Sequence, residues 1–197
     1  MNVVNTVVDI ETTMQLDDNK KTITSPFFGQ QIVSVGYNSK SFNSYDSRYL
    51  FFYHEGREPT PNAFNTLQSA LDKTDILIGH NIKFDLGWLR ECGIEYRGKL
   101  FDTMVAEYIL QRGQKKSLTL DECCRRRGIP GKSKDKIDPY LKEGLSYEAI
   151  PWDVVEEYGK TDVDITGMLA QAQLEDFGVM SWEKYMEGKV HVSFACT

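Results

Sequence analysis

Two acidic residues, Asp9 and Glu11, sit where a valine-rich stretch, NVVNTVVDI, comes to its end. If that stretch is a strand, its side chains alternate between faces and residues two apart point the same way. Asp9 and Glu11 then present two carboxylates together, while Ile10 turns into the opposite layer. Anions held this close repel each other, and a cation relieves the repulsion. Hard oxygen donors in a partly open arrangement suit magnesium or manganese. Taken alone the pattern is weak, because acidic pairs also begin solvated loops.

A second cluster is Asn81-Ile82-Lys83-Phe84-Asp85, directly after the apolar run DILIG. On a helix Asn81 and Asp85 are four apart and share a face. Asn81 also has a plain structural use as the helix N-cap. Asp85, set among Phe84, Leu86, Trp88 and Leu89, has no such use, and an acid in an apolar turn is costly unless paired or metal-bound. The third cluster is Tyr158-Gly159-Lys160-Thr161-Asp162, again with its polar pair four apart. A phenol beside a metal-site carboxylate can hold an attacking water. The plainer alternative is a packed tyrosine with Asp162 in solvent.

These residues need a scaffold that brings them together. The patterning predicts strands over 2–10, 31–37, 48–53, 75–79 and 99–101, with a loop over 38–47. Helices are expected from Pro61 to Leu71, from Asn81 to Glu91 and from Thr103 to Gln111, the last capped by Asp102. Further helices are expected over 117–127, with Leu118 and Leu120 inward, and from Pro151 to Leu174. Residues 131–139 read as a charged loop. Strands first, then strands alternating with helices, indicate an α/β fold: a central mixed β-sheet flanked by α-helices. A parallel portion of such a sheet gathers ligands at the carboxyl ends of its strands.

The three clusters, in this order, resemble the motifs of the DEDD exonuclease superfamily, in its tyrosine-bearing branch. The sequence carries them as Asp9-x-Glu11, Asn81-x-x-Phe84-Asp85 and Tyr158-x-x-x-Asp162. The text around them, GHNIKFDLGWL, FDTMVAEYIL and SLTLDECCRRRGI, is similar to the proofreading domains of family A DNA polymerases. The resemblance covers residues 3–174 and implies a ribonuclease H-like fold and 3′–5′ exonuclease activity with two Mg2+ ions, Mn2+ substituting. It implies that Asp9, Glu11 and Asp162 hold one metal, and that Asp9 binds a second with Asp85 in support. Tyr158 would orient the nucleophile, Thr12 would touch the terminal nucleotide, and Asn81 would shape the strand groove. The implied substrate is a single-stranded 3′ end, DNA in preference to RNA. A separate DNA polymerase is a possible partner. An RNA-trimming enzyme of the ribonuclease D type shares these residues, and a non-catalytic nucleic-acid-binding module is the rival from another class. For an apolar wedge after the first motif the sequence offers Met14 and Leu16.

Composition sets the outer bounds. A chain of 197 residues, 41% hydrophobic and 26% charged, can bury a real core in one domain. The expected division is a nuclease domain over 1–175 and a tail over 176–197, where Met180, Trp182, Tyr185, Met186 and Phe194 are apolar enough to pack on something. No apolar run approaches the ~20 residues of a membrane span, and the N-terminus is unlike a signal peptide. The expectation is no membrane partner and a cytoplasmic setting, bacterial or that of a phage's host. Cys92, Cys123, Cys124 and Cys196 form no C-x-x-C pair and read as reduced, packed thiols. The net charge of −6 weighs against a nonspecific coat for duplexes. Residues 112–136 nevertheless hold nine basic side chains (Arg112, Lys115, Lys116, Arg125, Arg126, Arg127, Lys132, Lys134, Lys136) against Asp121, Glu122 and Asp135. That island is either a phosphate-binding surface or a solvated face.

Overall fold

The computed structural model describes residues 3–17, 22–39, 47–131 and 134–188, the side chains of Leu16 and Lys134 excepted. Lys132, Phe194, Cys196 and most of the 38–47 loop lie outside those residues, as do the side-chain roles considered for Leu16 and Lys134.

The valine-rich stretch forms β1 (Asn5–Thr12), which lies at the centre of a five-stranded sheet. After it come two short strands, β2 (Gln15–Leu16) and β3 (Thr22–Ile23), which pair with each other in a separate two-stranded sheet. A 3-10 turn (Pro26–Phe28) leads into β4 (Ile32–Asn38) and β5 (Arg48–Phe51). Next are α1 (Ala63–Leu71), β6 (Ile76–Gly79), α2 (Ile82–Glu91), β7 (Lys99–Asp102) and α3 (Thr103–Leu110). Among the described residues four helices follow: α4 (Leu120–Arg125), α5 (Lys134–Lys142), α6 (Trp152–Asp176) and α7 (Trp182–Glu187). The strand order is β5-β4-β1-β6-β7, with β6 and β7 parallel to β1, and β4 antiparallel to it. This is the mixed ribonuclease H-like sheet that the sequence implied.

Alternation along β1 splits the core into two layers. Val8 and Ile10 face Leu67, Leu71, Leu86 and Leu89 of α1 and α2. Val7 faces Val163, Ala170 and Leu174 of α6 on the other side. Asp9 and Glu11 continue the Val7 face and therefore look toward α6. The strand runs two residues past Ile10, where the sequence pattern had ended it, because the ladder to β4 continues through Glu11 opposite Ser34. Its register shifts between Glu11 and Thr12, as a bulge would.

Several boundaries correct the sequence expectations. Residues 134–142 are helical, not a charged loop, even with Pro139 inside the helix. Tertiary burial overrides the proline: Ile137 is fully buried, and with Tyr140 and Leu141 it packs on Phe51, Ile150 and Val155. α4 is confined to 120–125, with Leu118 only half-buried. α1 begins at Ala63, after Asn62 in the left-handed region at φ 56°, so Pro61 precedes the first turn. Past α6, Trp182 and Tyr185 stack edge-on against Phe101 of β7, with centroids 5.2 and 5.4 Å away. The Tyr185 hydroxyl donates to the Leu100 carbonyl at 2.8 Å. Cys123 and Cys124 are buried and in no disulfide, and Cys92 is half-buried.

Candidate active site

Asp9, Glu11 and Asp162 converge where β1 passes under α6, each offering a carboxylate oxygen within 4.8 Å of the others. Glu11 is 8% and Asp162 1% exposed, so two of the three anions are largely out of water. Their meeting depends on how closely α6 crosses the sheet. Asp9 pairs with Gly36 on β4, and Gly36 pairs with Tyr49 on β5. A Cβ on Gly36 would come within 2.8 Å of Val163 Cγ2 and 3.2 Å of the Gly159 carbonyl. A Cβ on Gly159 would lie 2.4 Å from the Tyr49 ring and hydroxyl. The two glycines thus let α6 approach until Asp162 reaches the strand acids. Gly159→Ala is expected to lower stability by about 1–3 kcal/mol, the usual range for overpacking. It should also reduce activity by moving Asp162; a melting temperature and rate both at wild-type values would refute the close-approach account.

Asp85 lies on the first turn of α2, 4% exposed. Burial pushes its carboxyl well above the ordinary range, and the neighbouring Asp9 and Asp102 push the same way. The backbone N–H groups of Asp85 and Ile10 oppose that, which places the carboxyl beside β1 near Asp9. A folded pKa above the unfolded value means that stability from this group is full below about 3.8, its ordinary value, and lost as pH rises through the folded pKa. In chelator, Asp85→Asn should therefore melt above wild type, by a margin that widens as pH rises out of the carboxylate range. Magnesium should shrink the margin; a pH-independent margin would count against the placement.

Asn81 occupies the N-cap position of α2, but its side chain makes no cap bond and its backbone is left-handed, at φ 64°. The capping is done by Asp102, fully buried at the end of β7. Its carboxylate accepts from Asn81 N (3.0 Å) and Ile82 N (3.1 Å), and from Met104 N (2.9 Å) and Val105 N (3.3 Å). One side chain therefore anchors the starts of both α2 and α3, and leaves Asn81 exposed. The sequence identified only the α3 half of that role. Thr12 is buried at the end of β1, next to Glu11.

Tyr158 is 7% exposed on α6, one turn before Asp162, among Phe51, Ile137, Ile150 and Val155. Two further tyrosines reach the acids. Tyr147, between α5 and α6, has its ring centroid 6.4 Å from that of Tyr158. Burial raises its pKa, followed by the charges of Glu11, Tyr158 and Asp9 and a hydrogen bond to Glu11. Tyr49 is raised by burial and then by Glu11, Asp9 and Asp162, while its hydroxyl lies 2.8 Å from Ser34 Oγ. Nothing in the spacing of Tyr147 or Tyr49 from the acidic motifs marks either of them in the sequence.

The basic island divides. Arg126 and Arg127, 19% and 16% exposed at their side chains, both pair with buried Glu107, at 2.9 and 2.6 Å. Arg127 also meets Asp176 at 2.8 Å. Burial raises the Glu107 carboxyl, but Gln173 and the two arginines outweigh it and hold the group below its usual range. These two arginines tie α4 to α3 and α6, so a phosphate-binding role for all three of 125–127 does not hold. Arg125 pairs with Glu122 at 2.7 Å in solvent, and Lys136 with Glu157 at 2.6 Å. Arg112, Lys115 and Lys116 are exposed.

A mixed sheet with helices on both faces, where two acids of the central strand meet one from α6, is a ribonuclease H-like fold carrying a candidate metal site. The chain belongs to the 3′–5′ exonuclease family, which matches residues 34–175. That span holds Asp85, Tyr158 and Asp162, whereas Asp9 and Glu11 precede it. A DNA polymerase of Bacillus phage SP01 is 27% identical over 180 residues, 84% of this chain but 19% of the polymerase. The chain thus spans about a fifth of that relative. Among solved structures, Brucella melitensis NrnC with bound Mg2+ matches 93% of this chain and 79% of its own, at TM-score 0.56 and 18% identity. The same nuclease has been solved bound to pGG. Pol1 from M. smegmatis, in complex with DNA primer-template and dNTP, matches 89% of this chain and 24% of its own, at TM-score 0.53 and 17% identity. Among the described residues no helix is long and apolar enough to cross a membrane.

Proposed function

We propose that this exonuclease removes nucleotides singly from the 3′ ends of single-stranded DNA by two-metal hydrolysis, in replication or repair. The observation that carries the reading is the convergence of Asp9, Glu11 and Asp162 within 4.8 Å, with Asp85 and Tyr158 beside them. The donor set fits magnesium: all oxygen, several negative charges, and a mouth left partly open at Asp9. Asp9, Glu11 and Asp162 would hold one ion, and Asp9 with Asp85 a second. Bound there, the ions would stabilise the attacking and departing oxygens of the phosphodiester. Tyr158 would orient the attacking water, as in the tyrosine-bearing branch, and Thr12 and Asn81 would take the terminal nucleotide. Tyr147 would steady Glu11 through their hydrogen bond, with Tyr49 close by on Ser34. DNA is preferred to RNA on the similarity to polymerase proofreading domains, and a separate polymerase is a candidate partner. Residues 1–175 form the catalytic unit, with 176–197 as its tail.

The test uses labelled single-stranded DNA and RNA of one sequence, with magnesium or with chelator, and each end blocked in turn. Expected are full dependence on magnesium or manganese, little turnover in calcium, and inhibition by a 3′ phosphate only. Activity undiminished in chelator would end the two-metal proposal. RNA degraded faster than DNA would favour the RNA-trimming reading.

A further inference from the structure

Between β1 and β4 the described residues 13–17 and 22–31 lie outside the five-stranded sheet. β1, β6 and β7 are parallel and β4 runs against them, so the end of β1 and the starts of β4, α2 and α3 share one end of the sheet. That end carries Glu11 and Asp85. The β1–β4 connection is pinned at its base: Thr13 N donates to the Gln31 carbonyl and Gln31 N to Thr13 Oγ1, both at 2.9 Å. Met14 N donates to Ser146 Oγ at 2.8 Å, so Met14 sits against the α5–α6 connection. Near the return, Pro26–Phe28 form the 3-10 turn, capped by Ser25 Oγ and closed by Gly29 at φ 84°. The turn packs on α2.

This braced turn holds Phe27 and Phe28 in solvent, 73% and 69% exposed, whereas Phe51 and Phe101 are fully buried. Two adjacent exposed rings on a fixed backbone mark a contact surface. We propose that Phe27 and Phe28 form a stacking platform for bases of the single strand whose 3′ end lies at Asp9, Glu11 and Asp162. The platform rests on the exonuclease reading. Its place at the site end of the sheet favours a nucleic-acid occupant. So does the first turn of α2, on the helix it packs against, where Asn81 and Lys83 are exposed. Aromatic faces combined with a cation are the equipment of single-strand grooves, and every base has a face to offer, so such a platform is indifferent to sequence. The net charge of −6, with acids concentrated at the site, opposes a polyanion. Stacking attracts the bases without relying on that charge.

The test is equilibrium binding, read by anisotropy, of a fluorescent single-stranded DNA of about ten nucleotides in calcium. It compares the full chain with Phe27→Ala/Phe28→Ala while an abasic position is stepped back from the 3′ end. Both rings are exposed, so folding is not at stake, and circular dichroism checks it. The double variant is expected to bind the intact strand about tenfold more weakly. At one or two positions, removing the base should weaken wild type but leave the variant unaffected, the non-additivity of a shared contact. Phe27→Tyr/Phe28→Tyr should restore binding. Unchanged affinity, or penalties that add at every position, overturns the platform. Unchanged affinity with altered sedimentation overturns it in favour of contact between two copies. A wild type that binds through the rings yet releases no nucleotides sinks the exonuclease reading alone. A nuclease indifferent to both rings sinks the platform alone.

Discussion

Asp9→Ala is expected to slow release of 3′-terminal nucleotides by about a thousandfold or more, with magnesium saturating. At about 1.36 kcal/mol per decade this is a rise of about 4 kcal/mol in the barrier. The size follows from position, since Asp9 stands within 4.8 Å of Glu11 and Asp162 and its charge also raises the Asp85 carboxyl. It is the one acid that both groups share, so its loss would weaken both proposed ion positions. Stability should move the other way. In chelator the cluster is several like charges held together, and removing one relieves repulsion. The variant should therefore melt at or above wild type without metal, and gain less than wild type when magnesium is added. A folding defect would lower both the rate and the metal-free melting temperature, which separates the two explanations. A variant within about tenfold of wild type would place the chemistry elsewhere.

Much of this was legible before any coordinates, for reasons that differ by residue. Asp85 stands out because an acid contradicts the apolar pattern around it, Asp9 and Glu11 because they sit two apart at the end of an apolar strand, and Asp162 only through its spacing from Tyr158. Strand alternation correctly placed Ile10 and the two acids in opposite layers. Asp102 was legible as the cap of α3, a local relation, but not as the cap of α2, whose start is about twenty residues away in sequence. The same limit hid Tyr147 and Tyr49, which meet the acids only through tertiary packing. α5 was misread because Pro139 is a strong local signal, and the burial of Ile137 that outweighs it is not local. For the arginine run the sequence allowed a phosphate surface or a solvated face, and Glu107, on a different helix, makes two of its three charges neither.

The last expectation separates Tyr158 from the acids. Tyr158→Phe should leave the fold intact, because the ring packs among Phe51, Ile137, Ile150 and Val155 and only the hydroxyl is removed. Removing a positioned catalytic group lowers rates by about 10²–10⁴-fold, and the low end is expected here because the metal-binding acids remain. The defect should fall on kcat with KM near wild type, as for a group engaged mainly in the transition state. Tyr147 supplies the internal control. Its ring lies 6.4 Å from that of Tyr158, yet its hydroxyl bonds Glu11. Tyr147→Phe should therefore act through the metal, raising the magnesium concentration needed for half-maximal rate and recovering when magnesium is raised. Tyr158→Phe should not recover. If excess magnesium rescues Tyr158→Phe and not Tyr147→Phe, the two phenols have the opposite roles, with Tyr147 nearer the water. If Tyr158→Phe digests single-stranded DNA at the wild-type rate, Tyr158 is a packing residue and the tyrosine-bearing assignment fails.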